Sequence, residues 1–143
     1  MKASVFYRIA TLVLVLFAIG HTIGFRRNIP EWNAGSVIAA MQATHVNAQG
    51  FDRTYWDFFS AFGFLFTVFL LFAAVLAWQL AALPPEAVAR TRGIAWSFAI
   101  SFVAVTVLSW QYAFTTPLIF SIVVTVCLIA AAALSSKPTV PIP

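Results

Sequence analysis

His21, His45 and Asp57 are the residues in this chain whose types could do chemistry, because an imidazole oriented by a carboxylate is a general acid–base pair. In such a site Tyr55 or Arg53 would stabilise developing charge. Two histidines and a carboxylate are also the ligand set of some non-haem iron centres. No H-x-x-x-H or comparable spacing puts both histidines on one helix face, so no metal site is assigned. A third use is binding: one buried histidine is enough to ligate a haem or chlorophyll, or to anchor a hydrophobic molecule. Trp56, Trp110 and Tyr112 would join His21, His45, Arg53, Tyr55 and Asp57 in walling such a site. The sequence specifies no cofactor.

The positions of these residues follow from four apolar stretches, at about 5–25, 58–83, 92–114 and 117–134. About 20 mostly apolar residues suffice for a helix to cross a hydrocarbon layer of ~30 Å. The chain is 62% hydrophobic and only 8% charged, with a mean hydropathy of +0.96. It therefore reads as a single transmembrane domain over 1–143, an all-α antiparallel four-helix bundle. Its eight Lys and Arg residues are scattered singly or in pairs, so the net charge of +4 signals topology and not nucleic acid. Cys127 is the sole cysteine and excludes an intrachain disulfide. Lys2 and the Ile9–Ile19 run resemble a signal peptide, with Ala18-Ile19-Gly20 as cleavage site. The apolar stretch continues to Phe25, however, and is taken as the first span. No ionisable residue lies in the middle of a span, which disfavours a channel or transporter. Phosphate-binding loops, nucleophile elbows, CxxC pairs and internal repeats are lacking.

With four spans both termini share one side with the Pro84–Thr91 connection, and that side carries Lys2, Arg8, Arg90, Arg92 and Lys137. Arg26, Arg27 and Arg53 fall on the other, beside Glu31, Asp52 and Asp57. The positive-inside rule then places both termini in the cytoplasm. Tyr7, Trp78 and Trp96 would anchor the inner interface, and Trp32, Tyr55, Trp56, Trp110 and Tyr112 the outer one.

Small residues at i+4 spacing predict how the spans pack. Gly93, Ser97, Ser101 and Ser109 form such a stripe on the third span, Ser60, Gly63 and Thr67 on the second, and Ser121 and Thr125 on the fourth. These faces are expected to meet in the bundle centre. Phe58, Phe62, Phe66 and Phe69 share a face that would suit lipid, packing, or a flat apolar ligand. Pro84-Pro85-Glu86 and Thr115-Thr116-Pro117 mark helix starts.

The connection between the first two spans is long for a compact bundle, which makes it suspect for function. Within it, about 36–49 reads as a lid helix, with Ser36 as N-cap, Gly50 as terminator and His45 on its buried face. His21 and Asp57 are expected at comparable depth beneath it. Thr54-Tyr55-Trp56-Asp57 also matches a capping box, which would make Asp57 a cap. Gly20 and Gly24 beside His21 would let a flat ring or a neighbouring helix approach closely.

The strings Gly20-His21-Thr22-Ile23-Gly24-Phe25 and Gly50-Phe51-Asp52-Arg53-Thr54-Tyr55-Trp56-Asp57-Phe58-Phe59 resemble those of small four-helix bacterial inner-membrane proteins of unknown function. The general shape is similar to DoxX-like proteins and to the membrane sterol-isomerase group. The latter places acidic residues well inside the bundle, where this chain has none. The resemblance implies a multi-pass protein of the bacterial inner membrane and supplies no activity. The leading expectation is a membrane protein that binds a hydrophobic small molecule or lipid in an outer-leaflet pocket. The alternatives are an accessory subunit of a larger membrane complex, pigment- or haem-associated included, and a membrane enzyme using a His/Asp acid–base pair on a lipid-soluble substrate. Expected partners are membrane lipids, a hydrophobic ligand or that larger complex, with no nucleic acid.

Overall fold

The computed structural model describes residues 2–26 and 34–135. The chain is mostly helical, in the order α1 (Ala3–Gly24), α2 (Gly35–Ala43), β1 (His45–Ala48), β2 (Phe51–Thr54), α3 (Tyr55–Ala82), α4 (Pro85–Arg90), α5 (Arg92–Tyr112) and α6 (Thr115–Ser135). Helices α1, α3, α5 and α6 are long and apolar enough to cross a membrane. Arg27, Glu31, Trp32 and Lys137, assigned above to interfaces or flanks, lie outside the described residues, as does the tail 136–143. Contacts divide the chain into two compact units, 1–17 with 70–143, and 18–69; α1 and α3 each run from one into the other.

The first unit is built on apolar residues at alternating three- and four-residue steps, which keep one helix face in contact with its neighbours. On α1 these are Tyr7, Ala10, Leu14 and Phe17; on α3, Leu70, Ala73, Ala74, Ala77, Leu80 and Ala81. The two-residue link between α5 and α6 folds them into an antiparallel hairpin, which buries Ala95, Phe98, Ala99 and Phe102 on α5 and Ser121, Val124, Thr125, Leu128, Ala131 and Ala132 on α6. The many alanines let backbones approach closely, the main source of helix association where the surroundings are as apolar as leucine. Thr125 Oγ1 donates to the Phe102 carbonyl at 2.9 Å and lies 2.8 Å from Thr106 Oγ1, a hydroxyl clasp across the hairpin. Phe17 stacks on Phe120 at 5.2 Å.

Several expectations change here. The Gly93, Ser97 and Ser101 stripe of α5 is exposed, and Ser101 Oγ donates back to the Ser97 carbonyl. The buried face of α5 is instead the alanine–phenylalanine one, because Phe98 and Phe102 fill more of the interhelical space than hydroxyls do. Ser121 and Thr125 are buried as expected. Tyr7 is 1% exposed, a core residue and not an interfacial anchor. Pro84-Pro85-Glu86 opens the short α4, which Thr91 closes before the third span begins at Arg92. Ser135 ends α6 buried, its hydroxyl donating to the Ala131 carbonyl at 2.7 Å.

In the second unit the predicted lid helix is only half helix. α2 ends at Ala43, has no side-chain N-cap bond, and buries no residue. His45–Ala48 and Phe51–Thr54 then pair as an antiparallel hairpin, His45 opposite Thr54 and Ala48 opposite Phe51. The two-residue loop explains it: Gln49 has φ 53° and Gly50 φ 87°, both positive as a type I′ turn requires. Asn47 Oδ1 accepts the Gly50 N–H at 3.1 Å and holds that turn. Gly50 thus turns a hairpin where it was expected to stop a helix.

Candidate functional site

The candidate residues of the second unit fall into two separate groups. The first lies on the hairpin and the start of α3. Thr54 N–H donates to Asp57 Oδ2 at 2.8 Å, and Asp57 N–H donates to Thr54 Oγ1 at 3.1 Å. This reciprocal capping box satisfies two amides that the first turn of α3 would otherwise leave unpaired. His45 Nδ1 lies 3.0 Å from both carboxylate oxygens of Asp52, its diagonal neighbour across the strands. That pair is 60% and 67% exposed, so water screens it. Arg53 donates to the Asp52 carbonyl and lies over the Phe51 ring at 5.5 Å. Tyr55 is exposed, and Trp56 stacks on Phe59 at 5.4 Å.

The second group lies further along α3, where α1 and α3 face each other within this unit. His21 Nε2 is 3.1 Å from the Gly63 carbonyl. A carbonyl only accepts, so Nε2 carries the proton and donates. Gly63 lies six residues beyond Asp57, about 9 Å along the helix at ~1.5 Å per residue, so His21 and Asp57 are not at one depth. Thr22 Oγ1 sits 2.9 Å from Thr67 Oγ1; Thr22 also donates to Ala18 O, and Thr67 to Gly63 O. Together these bonds clamp the two helices by their small-residue faces, as the Gly63–Thr67 spacing predicts.

Aromatic rings surround the clamp. His21 meets Phe66 edge-on at 4.8 Å and Phe25 at 5.2 Å. Phe25 in turn meets Phe59 and Phe64 edge-on, at 6.2 and 5.3 Å. A Cβ at Gly63 would lie 2.7 Å from Phe25 Cε2, so only glycine lets this ring cover the helix. Arg26 places its guanidinium over Phe64 at 5.5 Å, an attraction between cation and ring face. Beside His21 in the sequence, Gly20 and Gly24 have no neighbours within 4 Å of an added Cβ. The imidazole is half-buried and walled by phenyl rings.

His21 therefore stands apart from His45 and Asp57: it is engaged by Gly63, whereas His45 and Asp57 lie near each other at the end of the hairpin, held by Asp52 and by the Thr54 cap. Among the described residues no group of three or more His, Cys, Asp or Glu could hold a metal ion. Trp110 and Tyr112 belong to the other unit, exposed at the end of α5. Missed in the sequence were Phe25 and Thr22, although Gly63-x-x-x-Thr67 opposite a histidine-bearing span pointed to a close crossing. No protein-family model, curated protein or solved structure matches this chain.

Proposed function

We propose that this chain is a multi-pass membrane protein, an antiparallel bundle of four spans, that binds a hydrophobic small molecule or lipid against His21. The observation that carries the reading is the imidazole itself. It sits inside an apolar helix, fixed at one nitrogen by the Gly63 carbonyl, ringed by Phe25 and Phe66, and flanked by the uncovered Gly20 and Gly24. A polar group at membrane depth is costly, and binding sites are apolar walls with a few placed polar atoms. Acid–base catalysis has less support, because among the described residues no carboxylate is hydrogen-bonded to His21.

The test is native mass spectrometry of the protein extracted gently from its host membrane. A discrete added mass of small-molecule size is expected, lost in His21→Leu. Thr67→Val is the control, since it cuts the same helix clamp while sparing the imidazole. Ligand loss in both variants would mean that His21 acts only through packing, and would overturn the reading.

An accessory subunit is the second reading, favoured by α5, which exposes the hydroxyls of Ser97 and Ser101 beside Gly93. It predicts co-release with another polypeptide at fixed stoichiometry in the same spectrum.

A further inference from the structure

The hydrogen bond that fixes His21 also fixes which ligands it can hold. Nε2 must donate to Gly63, as the carbonyl has no proton to give. An imidazolium at this depth would be costly and would leave a second charged donor unpaired. In the neutral ring, Nδ1 is then a bare acceptor, and it has no hydrogen-bond partner among the described residues. An acceptor cannot satisfy another acceptor, so a quinone carbonyl, an ester or an ether gains nothing there. A hydroxyl does.

We propose that the ligand of this site carries a hydroxyl donor on an apolar body, as an alkylphenol, a hydroquinone or a sterol does, and gives that proton to His21 Nδ1. The inference rests on the binding reading above and narrows it to one chemical class. The walls agree: Phe25 and Phe66 set apolar rings against the imidazole, and Gly20 and Gly24 leave room beside the helix. Axial ligation of a tetrapyrrole fits less well. The nitrogen at the tip of the ring is already taken by Gly63, and Nδ1 is bonded to Cγ, so a macrocycle approaching it would meet the helix backbone.

The test uses a matched pair of probes, 4-nonylphenol and its methyl ether, titrated into the protein in lipid nanodiscs. Each titration is corrected for partition into protein-free discs. The protein carries 15N-labelled histidine; only two rings are present, and His45→Gln assigns them. The free protein should show His21 protonated at Nε2, and the phenol should shift its Nδ1 resonance. The phenol should bind about tenfold more tightly than the ether, the value of one net hydrogen bond. In His21→Leu the preference should fall to about onefold whatever the absolute affinities. Equal binding of the two probes by the native protein would overturn this inference while leaving the binding reading standing. Binding of neither would overturn both. A proton on Nδ1 in the free protein would refute the donor assignment irrespective of how the variant folds.

Discussion

Replacing Gly63 by alanine should cost stability only while Phe25 is present, and the size of that dependence can be worked from the structure. The new Cβ would lie 2.7, 2.8 and 2.9 Å from Phe25 Cε2, Cδ2 and Cζ. Carbon atoms pack best at ~3.5–4.0 Å, so the ring must swing aside by about 1 Å. Overpacking typically costs ~1–3 kcal/mol, and a half-buried ring at a helix end belongs in the lower half of that range. Alanine recovers ~0.5–1 kcal/mol of helix preference over glycine. Gly63→Ala alone should therefore destabilise by at most ~1.5 kcal/mol. In a Phe25→Ala background the clash is gone, and the same substitution should stabilise by ~0.5–1 kcal/mol. The double-mutant coupling is then about 1–2 kcal/mol. Equilibrium unfolding with a denaturing detergent, followed by tryptophan fluorescence, measures all four proteins. An equal effect of Gly63→Ala in both backgrounds would show that Phe25 does not cover Gly63, and the aromatic wall of the His21 site would go with it.

Other contacts give independent tests. Thr125→Val removes the donor to Phe102 and should cost about 0.6–1.7 kcal/mol in the same unfolding assay, in line with interhelical hydroxyl bonds in membranes. Thr54→Ala breaks the capping box at the start of α3, should cost ~1 kcal/mol, and should speed hydrogen exchange at the Asp57 amide. Gln49→Asn should strengthen the hairpin turn, whereas Gly50→Ala, forced to φ 87°, should weaken it by about 1–2 kcal/mol. Hydrogen exchange at the strand amides of His45–Thr54 reads both, in opposite directions.

The four long apolar helices were legible because their signal is length and uninterrupted apolarity. Their observed bounds differ from the expected ones by at most three residues, and the largest shift is informative. α3 begins at Tyr55 because Thr54 and Asp57 cap it, a local pattern written in four consecutive residues. The lid was misjudged for a similar reason. Ser36–Gln49 contains helix-compatible residues throughout, but two adjacent positive φ angles at Gln49 and Gly50 favour a hairpin. Glutamine is not a residue that announces such a turn, so the signal rested on Gly50 alone. Once Phe51–Thr54 turns back, His45 is carried to the exposed hairpin beside Asp52, and the expected three-residue site comes apart.

Helix α5 shows why small residues alone do not choose an interface. It carries two such faces, one with Gly93, Ser97 and Ser101, the other with Ala95 and Ala99. Hydroxyls favoured the first, on the view that polar groups seek the protein interior in a membrane. Ser101 instead satisfies itself on its own helix, through the Ser97 carbonyl, and needs no neighbour. The second face wins because Phe98 and Phe102 accompany its alanines, and because Thr106 and the Phe102 carbonyl receive Thr125 from α6. The same distinction separates His21 from the serines. A serine hydroxyl reaches its own helix and falls silent, but an imidazole has two nitrogens facing opposite ways, and only one of them reaches Gly63. The other has no hydrogen-bond partner among the described residues and remains an acceptor, and for that reason this ring, and not the hydroxyl stripe, is where chemistry in this chain is to be sought.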